Sequence, residues 1–207
     1  MLCAMEQALP LIVATGWASG VNAYATVALM CVCGRMDLIE LPSAFARTDV
    51  LVVALALFAV EFVADKVPLV DSAWDVVQTV ARPLVGGTIG ALVAGEDGAT
   101  ALVEAGAAGG SGGLALASHS AKASIRLAVN SSPEPFSNVV LSLAEDLAVA
   151  LVVGLATDHP WAAAAVAVVL LVCGVTLALL LAKTVRAGLR RLRGRGGPPV
   201  SPPRSPG

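Results

Sequence analysis

Residues 61–82, EFVADKVPLVDSAWDVVQTVAR, place Glu61, Asp65, Lys66, Asp71, Asp75 and Arg82 between two apolar runs. LVVALALFAV precedes the segment and PLVGGTIGALVAG follows it. An ionised side chain at bilayer depth is expensive, so it sits where it is paired, hydrated or used. A second polar set follows downstream: His119, Lys122 and Arg126, then Glu145 and Asp146. Charges set into apolar runs twice over predict an all-α, polytopic membrane protein with a polar interior.

Composition supports that class. Of 207 residues, 57% are hydrophobic and 14% are charged, with a mean hydropathy of +0.83. Soluble domains carry about 25% charged residues. Aromatic residues are scarce, so Ala, Val, Leu and 20 Gly make up the apolar content. Small residues at this density suit close helix contacts in lipid. The net charge of −2 hides an asymmetry, because residues 183–207 hold seven of the thirteen Lys and Arg and no acid. An Arg-rich segment directly after an apolar helix reads as a topology signal, and nothing else points to nucleic acid. Cys3, Cys31, Cys33 and Cys173 lie in or beside apolar segments without a zinc spacing; Cys31 and Cys33 could form a thiol pair but read as two small core residues. The first ten residues lack the basic start of a cleaved signal and are expected to stay in the mature chain.

Six membrane segments are expected. They fall at about 9–33, 49–66, 71–94, 99–129, 136–157 and 161–185. The first is interrupted by the polar GWASGVNAY. Pro68 ends the second, Asp71 or Ser72 caps the third, and Pro83 should kink it. Gly109–Gly113 marks a weak point in the fourth. Turns are expected at 96–98 and 130–135. Residues 1–190 form the membrane domain, and 191–207 form a basic, Pro/Gly-rich disordered tail. The tail places the C-terminus on the cytoplasmic side of the inner membrane. Spans one and four carry polar groups and spans two and five carry acid pairs, which fits two inverted three-helix repeats.

Three stripes organise the polar residues. Asp71, Asp75, Gln78 and Arg82 recur at i, i+4, i+7 and i+11, so they share one helix face. His119, Lys122 and Arg126 form a basic stripe, and Asn138, Ser142 and Glu145 form a third. The acidic and basic stripes invite cross-helix bridges, with Asp75 and Lys122 as the expected pair. Asp71 and Asp75, one turn apart, form an expected proton-sharing pair. The break at Gly16, Ser19, Gly20 and Asn22 could expose carbonyls along a site, or Gly16 and Gly20 could serve close packing.

The motifs GWASGVNAYATV, VEFVADKVPLVDSAWDVV, ARPLVGG, HSAKASIRLAVNSSPEPFSN and LSLAEDLAV resemble the bacterial membrane-protein family called domain of unknown function 4126. The resemblance covers about residues 9–180. It implies a membrane protein and supplies no substrate.

The reading that follows is a small transporter or channel-like protein for an ion or small polar solute. Glu61, Asp65, Asp71 and Asp75 would carry a cation or proton. His119, Lys122 and Arg126 would supply counter-charge, with Glu145, Asp146, Asn22 and Ser19 along the path. The rival is a scaffold whose buried charges lock helices together. A membrane-embedded enzyme is the weakest alternative, since no GxSxG, HExxH or P-loop occurs. No cofactor is expected and the metal is left unknown. The partners are the bilayer and the solute, with homo-oligomerisation left open.

Overall fold

A computed structural model describes residues 2–96, 98–130 and 135–194. Among them there is no strand. The helices run in the order α1 (Leu2–Val21), α2 (Ala23–Arg35), a 3-10 turn (Ser43–Ala46), α3 (Thr48–Ala64), α4 (Pro68–Glu96), α5 (Ala101–Asn130), α6 (Pro135–Asp158) and α7 (Pro160–Gly194). Residues 73–96, 136–158 and 160–184 are long and apolar enough to cross a membrane. Two shorter apolar helices, α1 and α2, stand where one broken span was expected.

The break between them is a single residue. Asn22 leaves the helical region at φ −151° and ψ 100°, and its side-chain oxygen accepts the Ala25 N–H at 2.9 Å. An Asn that caps the second helix resolves the interruption locally. Gly16 and Gly20 lie inside α1 instead of forming the break, and they serve packing. A β-carbon on Gly20 would fall 1.8 Å from Ser118 Oγ and 2.2 Å from the Ala115 carbonyl oxygen. One on Gly16 would fall 2.9 Å from Ser111 Oγ.

The same device joins α4 to α5. Gly90 would meet the Ala107 carbonyl at 2.6 Å, and Gly112 would meet the Pro83 carbonyl at 2.9 Å. Helices α1, α4 and α5 thus touch backbone to backbone through small residues. The Gly109–Gly113 run is therefore continuous helix and not a weak point, and α4 runs on through Pro83. Helix α4 starts at Pro68, three residues before the expected start, because proline is well placed in a first turn where its missing N–H would have no partner. The Asp71 N–H already bonds to the Val67 carbonyl, so neither Asp71 nor Ser72 is the cap.

The hydrophobic core runs on through Met30, Val149, Val152, Ala163 and Ala167, which join α2, α6 and α7 to it. Cys31 and Cys33 are buried and free, as small core residues. Outward faces stay apolar: Val76, Val80 and Leu84 on α4 and Val169 and Val172 on α7 are exposed. Helix α7 extends past its apolar part to Gly194, continuing the expected span 161–185 into the amphipathic basic stub. At 1.5 Å per residue its 35 residues reach about 50 Å, against a hydrocarbon core of about 30 Å. Of the expected turns, 131–134 and Asp97 lie outside the described residues, and so does the tail from 195 onward. Gly98, next to Asp97, takes φ +69°, which suits a turn and glycine.

Candidate functional site

Stopping α1 at Val21 deprives its last carbonyls of their helical partners. Two cations from neighbouring helices take them. Arg82 Nη1 on α4 donates to the Gly20 carbonyl at 2.9 Å, and Lys122 Nζ on α5 donates to the Val21 carbonyl at 2.9 Å. A helix C-terminus carries partial negative charge, so cations are the complementary partners there. The broken span therefore does turn backbone carbonyls into the polar interior, and the ligands that meet them are side chains of the same protein.

Each cation also gathers carboxylates. Arg82 Nη2 pairs with Glu61 of α3, both fully buried. Lys122 pairs with Asp65 at 3.0 Å and with Glu145 of α6 at 3.3 Å. Arg126 is the hub: it reaches Asp71 at 2.7 Å, Asp65 at 3.1 Å and Glu145 at 2.5 Å, and donates to the Asp65 carbonyl at 2.9 Å. Asn138 of α6 donates to that same carbonyl at 2.9 Å. Lys66, half-buried, donates to the Phe62 carbonyl at 2.8 Å and sits over the Phe62 ring. Helices α3, α4, α5 and α6 are thereby tied together through charge.

The expected Asp75–Lys122 pair does not form, because the carboxylates of α3 and α6 reach the ammonium instead. Arg82 likewise leaves the acids of its own stripe for Glu61. Asp71 and Asp75 do not act as a matched pair either: Asp71 is committed to Arg126, whereas among the described residues Asp75 makes no ion pair and its Oδ1 has no hydrogen-bond partner. His119 supplies no counter-charge in this arrangement. Its Nδ1 lies 2.8 Å from Arg82 Nη1, and arginine can only donate, so Nδ1 accepts. The hydrogen is then assigned to Nε2, which faces the Asp75 carbonyl at 3.2 Å and Thr79 Oγ1 at 3.1 Å. Ser19 is also outside the network, since its hydroxyl donates to the Thr15 carbonyl of its own helix at 2.7 Å. Asn22 does join: it caps α2 and donates from Nδ2 to Asp146 at 2.9 Å.

The balance of the network matters most. Six carboxylates (Glu61, Asp65, Asp71, Asp75, Glu145 and Asp146) face four cations (Lys66, Arg82, Lys122 and Arg126), all of them buried or half-buried. Asp75 and Asp146 are the two without an ion pair among the described residues, and Asp146 Oδ2 is buried without a partner. Gln78, one turn beyond Asp75 on the same face, is fully buried with both amide atoms unpartnered. Buried polar atoms left this way are costly. Among the described residues no group of three or more His, Cys, Asp or Glu is placed to hold a metal ion.

Arg82 was absent from the expected path residues, yet it joins α1, α3 and α5. The signal was present: it is the lone cation on an α4 stripe that buries every other member. The contrast between the two aspartates gives a test. Asp71→Asn should lower stability by roughly 1–3 kcal/mol by leaving Arg126 under-compensated, while Asp75→Asn should leave the thermal midpoint in detergent nearly unchanged. Equal losses would contradict the division between paired and unpaired acids.

The model of the family described as "Domain of unknown function (DUF4126)" matches residues 9–180. The chain belongs to that family. The resemblance seen in the motifs is borne out over the same range, and the DUF4126 match takes in every residue of the charge network. It stops before the basic end of α7. No curated protein and no solved structure matches the chain.

Proposed function

We propose that this DUF4126 chain is a small transporter or channel-like protein of the bacterial inner membrane, moving an ion or small polar solute with the help of a proton or monovalent cation on Asp75 or Asp146. The observation that carries this reading is the surplus of two buried carboxylates over the cations available to them. An uncompensated buried charge is unfavourable, so a mobile positive charge that completes the balance binds with a favourable free energy. The paired acids Glu61, Asp65, Asp71 and Glu145 frame the site, and Asn22 couples Asp146 to the helix break.

In this reading the chain spans the membrane six times, α1 and α2 together forming the first span. The basic end of α7 lies in the cytoplasm, as does the C-terminus. Helices α3 and α6 each deliver an acid pair to the centre, which fits two inverted three-helix halves. The scaffold reading draws on a different observation: six ion pairs are closed and nearly dry. Those pairs hold the helices in register, and the two unpaired acids fall outside that role. No catalytic role is proposed.

The test is a solute screen in proteoliposomes carrying a pH dye and a membrane-potential dye. Inward gradients of inorganic cations, anions and small polar solutes are imposed one at a time. A solute whose entry shifts lumenal pH or potential only in protein-containing vesicles supports transport. Silence across the panel, from a monodisperse and inserted chain, leaves the scaffold.

A further inference from the structure

A lateral cavity of about 220 Å³ lies between α1, α5, α6 and α7. Its walls are mostly apolar and include Trp17, Leu141, Leu171 and Gly174, with Lys122 and Glu145 as its charged members. A second, mostly apolar space of about 490 Å³ shares Ile125, Leu141 and Ala144 with it and runs on to Phe136 and Leu181, with Ser137 as its polar member. The two together form a groove along α5, α6 and α7. Its polar end lies near the middle of α6, and its apolar end lies near the start of that helix.

The hydrogen-bonding capacity at the polar end is one-sided. Lys122 Nζ is surrounded by acceptors: the Val21 carbonyl at 2.9 Å, Asp65 Oδ2 at 3.0 Å and Glu145 Oε2 at 3.3 Å. Ser118 Oγ already donates to the Trp17 carbonyl. Both ion pairs of Glu145 use Oε2, so Oε1 is the atom left for an occupant of the cavity. The local charge is also negative, since Asp65, Asp71 and Glu145 outnumber Lys122 and Arg126. The Trp17 indole N–H is the one uncommitted donor among the described lining residues, so an anion would meet a single neutral donor and no free cation. A lipid tail would bring only methylenes to a carboxylate oxygen, which leaves that oxygen unsolvated.

We infer that this groove binds an amphiphilic organic monocation, its charged head against Glu145 Oε1 beside Trp17 and its apolar body along α6 and α7. The inference rests on the membrane placement given above, but not on Asp75 or Asp146. It names a substrate class for the protein: hydrophobic cations that partition into the bilayer and enter from the side.

The probe is benzyltrimethylammonium, with phenylmethanesulfonate as its anionic counterpart. Full-length chain carrying Trp74→Phe and Trp161→Phe leaves Trp17 as the one indole, and its fluorescence is titrated in detergent. Saturable quenching by the cation is expected, with no competition from the sulfonate. Glu145→Gln should weaken binding at least about ten-fold, the loss of one buried charge partner. Gly174→Phe supplies an independent arm that leaves the charges intact. A β-carbon there lies 3.6 Å from Ala121 Cβ, an ordinary contact, so the ring can fill the groove and block binding. Unchanged affinity in a folded Glu145→Gln or Gly174→Phe chain, equal binding of the sulfonate, or no saturable signal would each overturn the assignment. Binding is read at equilibrium without flux, so its failure and a failure of transport at Asp75 or Asp146 are separate results.

Discussion

Arg126→Met should cost about 3–5 kcal/mol, because it takes one buried guanidinium away from three carboxylates at once. The guanidinium reaches Asp65, Asp71 and Glu145 through its two terminal nitrogens, and a thioether of similar length offers none of those contacts. Lys122 still holds Asp65 and Glu145, but Asp71 loses its ion pair with Arg126. Arg126→Lys should recover part of the loss, since one ammonium restores charge but cannot span three partners as a planar fork does. The check is chemical unfolding in detergent, with size-exclusion profiles to report misfolding. Equal stability of the Met variant and the parent would show that the network contributes nothing to holding α3, α4, α5 and α6 together.

Gly20→Val should be the most damaging single change at a glycine. Its β-carbon would lie 2.2 Å from the Ala115 carbonyl oxygen, and a backbone atom cannot swing aside as a side chain can. The substitution must push α1 off α5 at the point where Arg82 and Lys122 grip the end of α1. Overpacking costs about 1–3 kcal/mol or more, and here the displaced backbone also carries two charge-assisted hydrogen bonds. Gly113→Ala, on the small-residue helix α5 that α1 packs against, is the counterpart. Nothing lies within 4 Å of its β-carbon, so it should be neutral or gain up to about 1 kcal/mol from helix propensity. Thermal midpoints of the two variants against the parent decide the point, and a harmless Gly20→Val would remove the proposed contact.

The helical class and the buried faces were legible because charge is expensive in an apolar chain. Asp71, Asp75, Gln78 and Arg82 recur at helical spacing, and all four are buried. Partnership was not legible. Spacing places side chains on a face but does not say which helix faces it, so Lys122 was matched with the preceding helix in sequence when its acids come from the end of α3 and from α6. The helix break was expected over Gly16, Ser19, Gly20 and Asn22, and only Asn22 makes it, while Gly16 and Gly20 follow the close-packing alternative. Glycine weakens a helix in water, yet Gly16 and Gly20 remain helical because small residues are needed where α1 meets α5. Asn22, the residue able to cap a new helix with its own side chain, is where the chain turns. The surplus of two carboxylates could not be counted from sequence, because it appears only when each cation has been assigned its partners.

The most direct test of that surplus compares Asp75→Asn, Asp146→Asn and the double variant with the parent in the same proteoliposomes, using the solute that the screen identifies. Stability and insertion should match the parent, since neither acid holds an ion pair. Proton- or cation-coupled flux should fall in each single variant and vanish in the double one. Full flux in a folded, inserted double variant would contradict the account, because the unpaired carboxylates would then carry nothing.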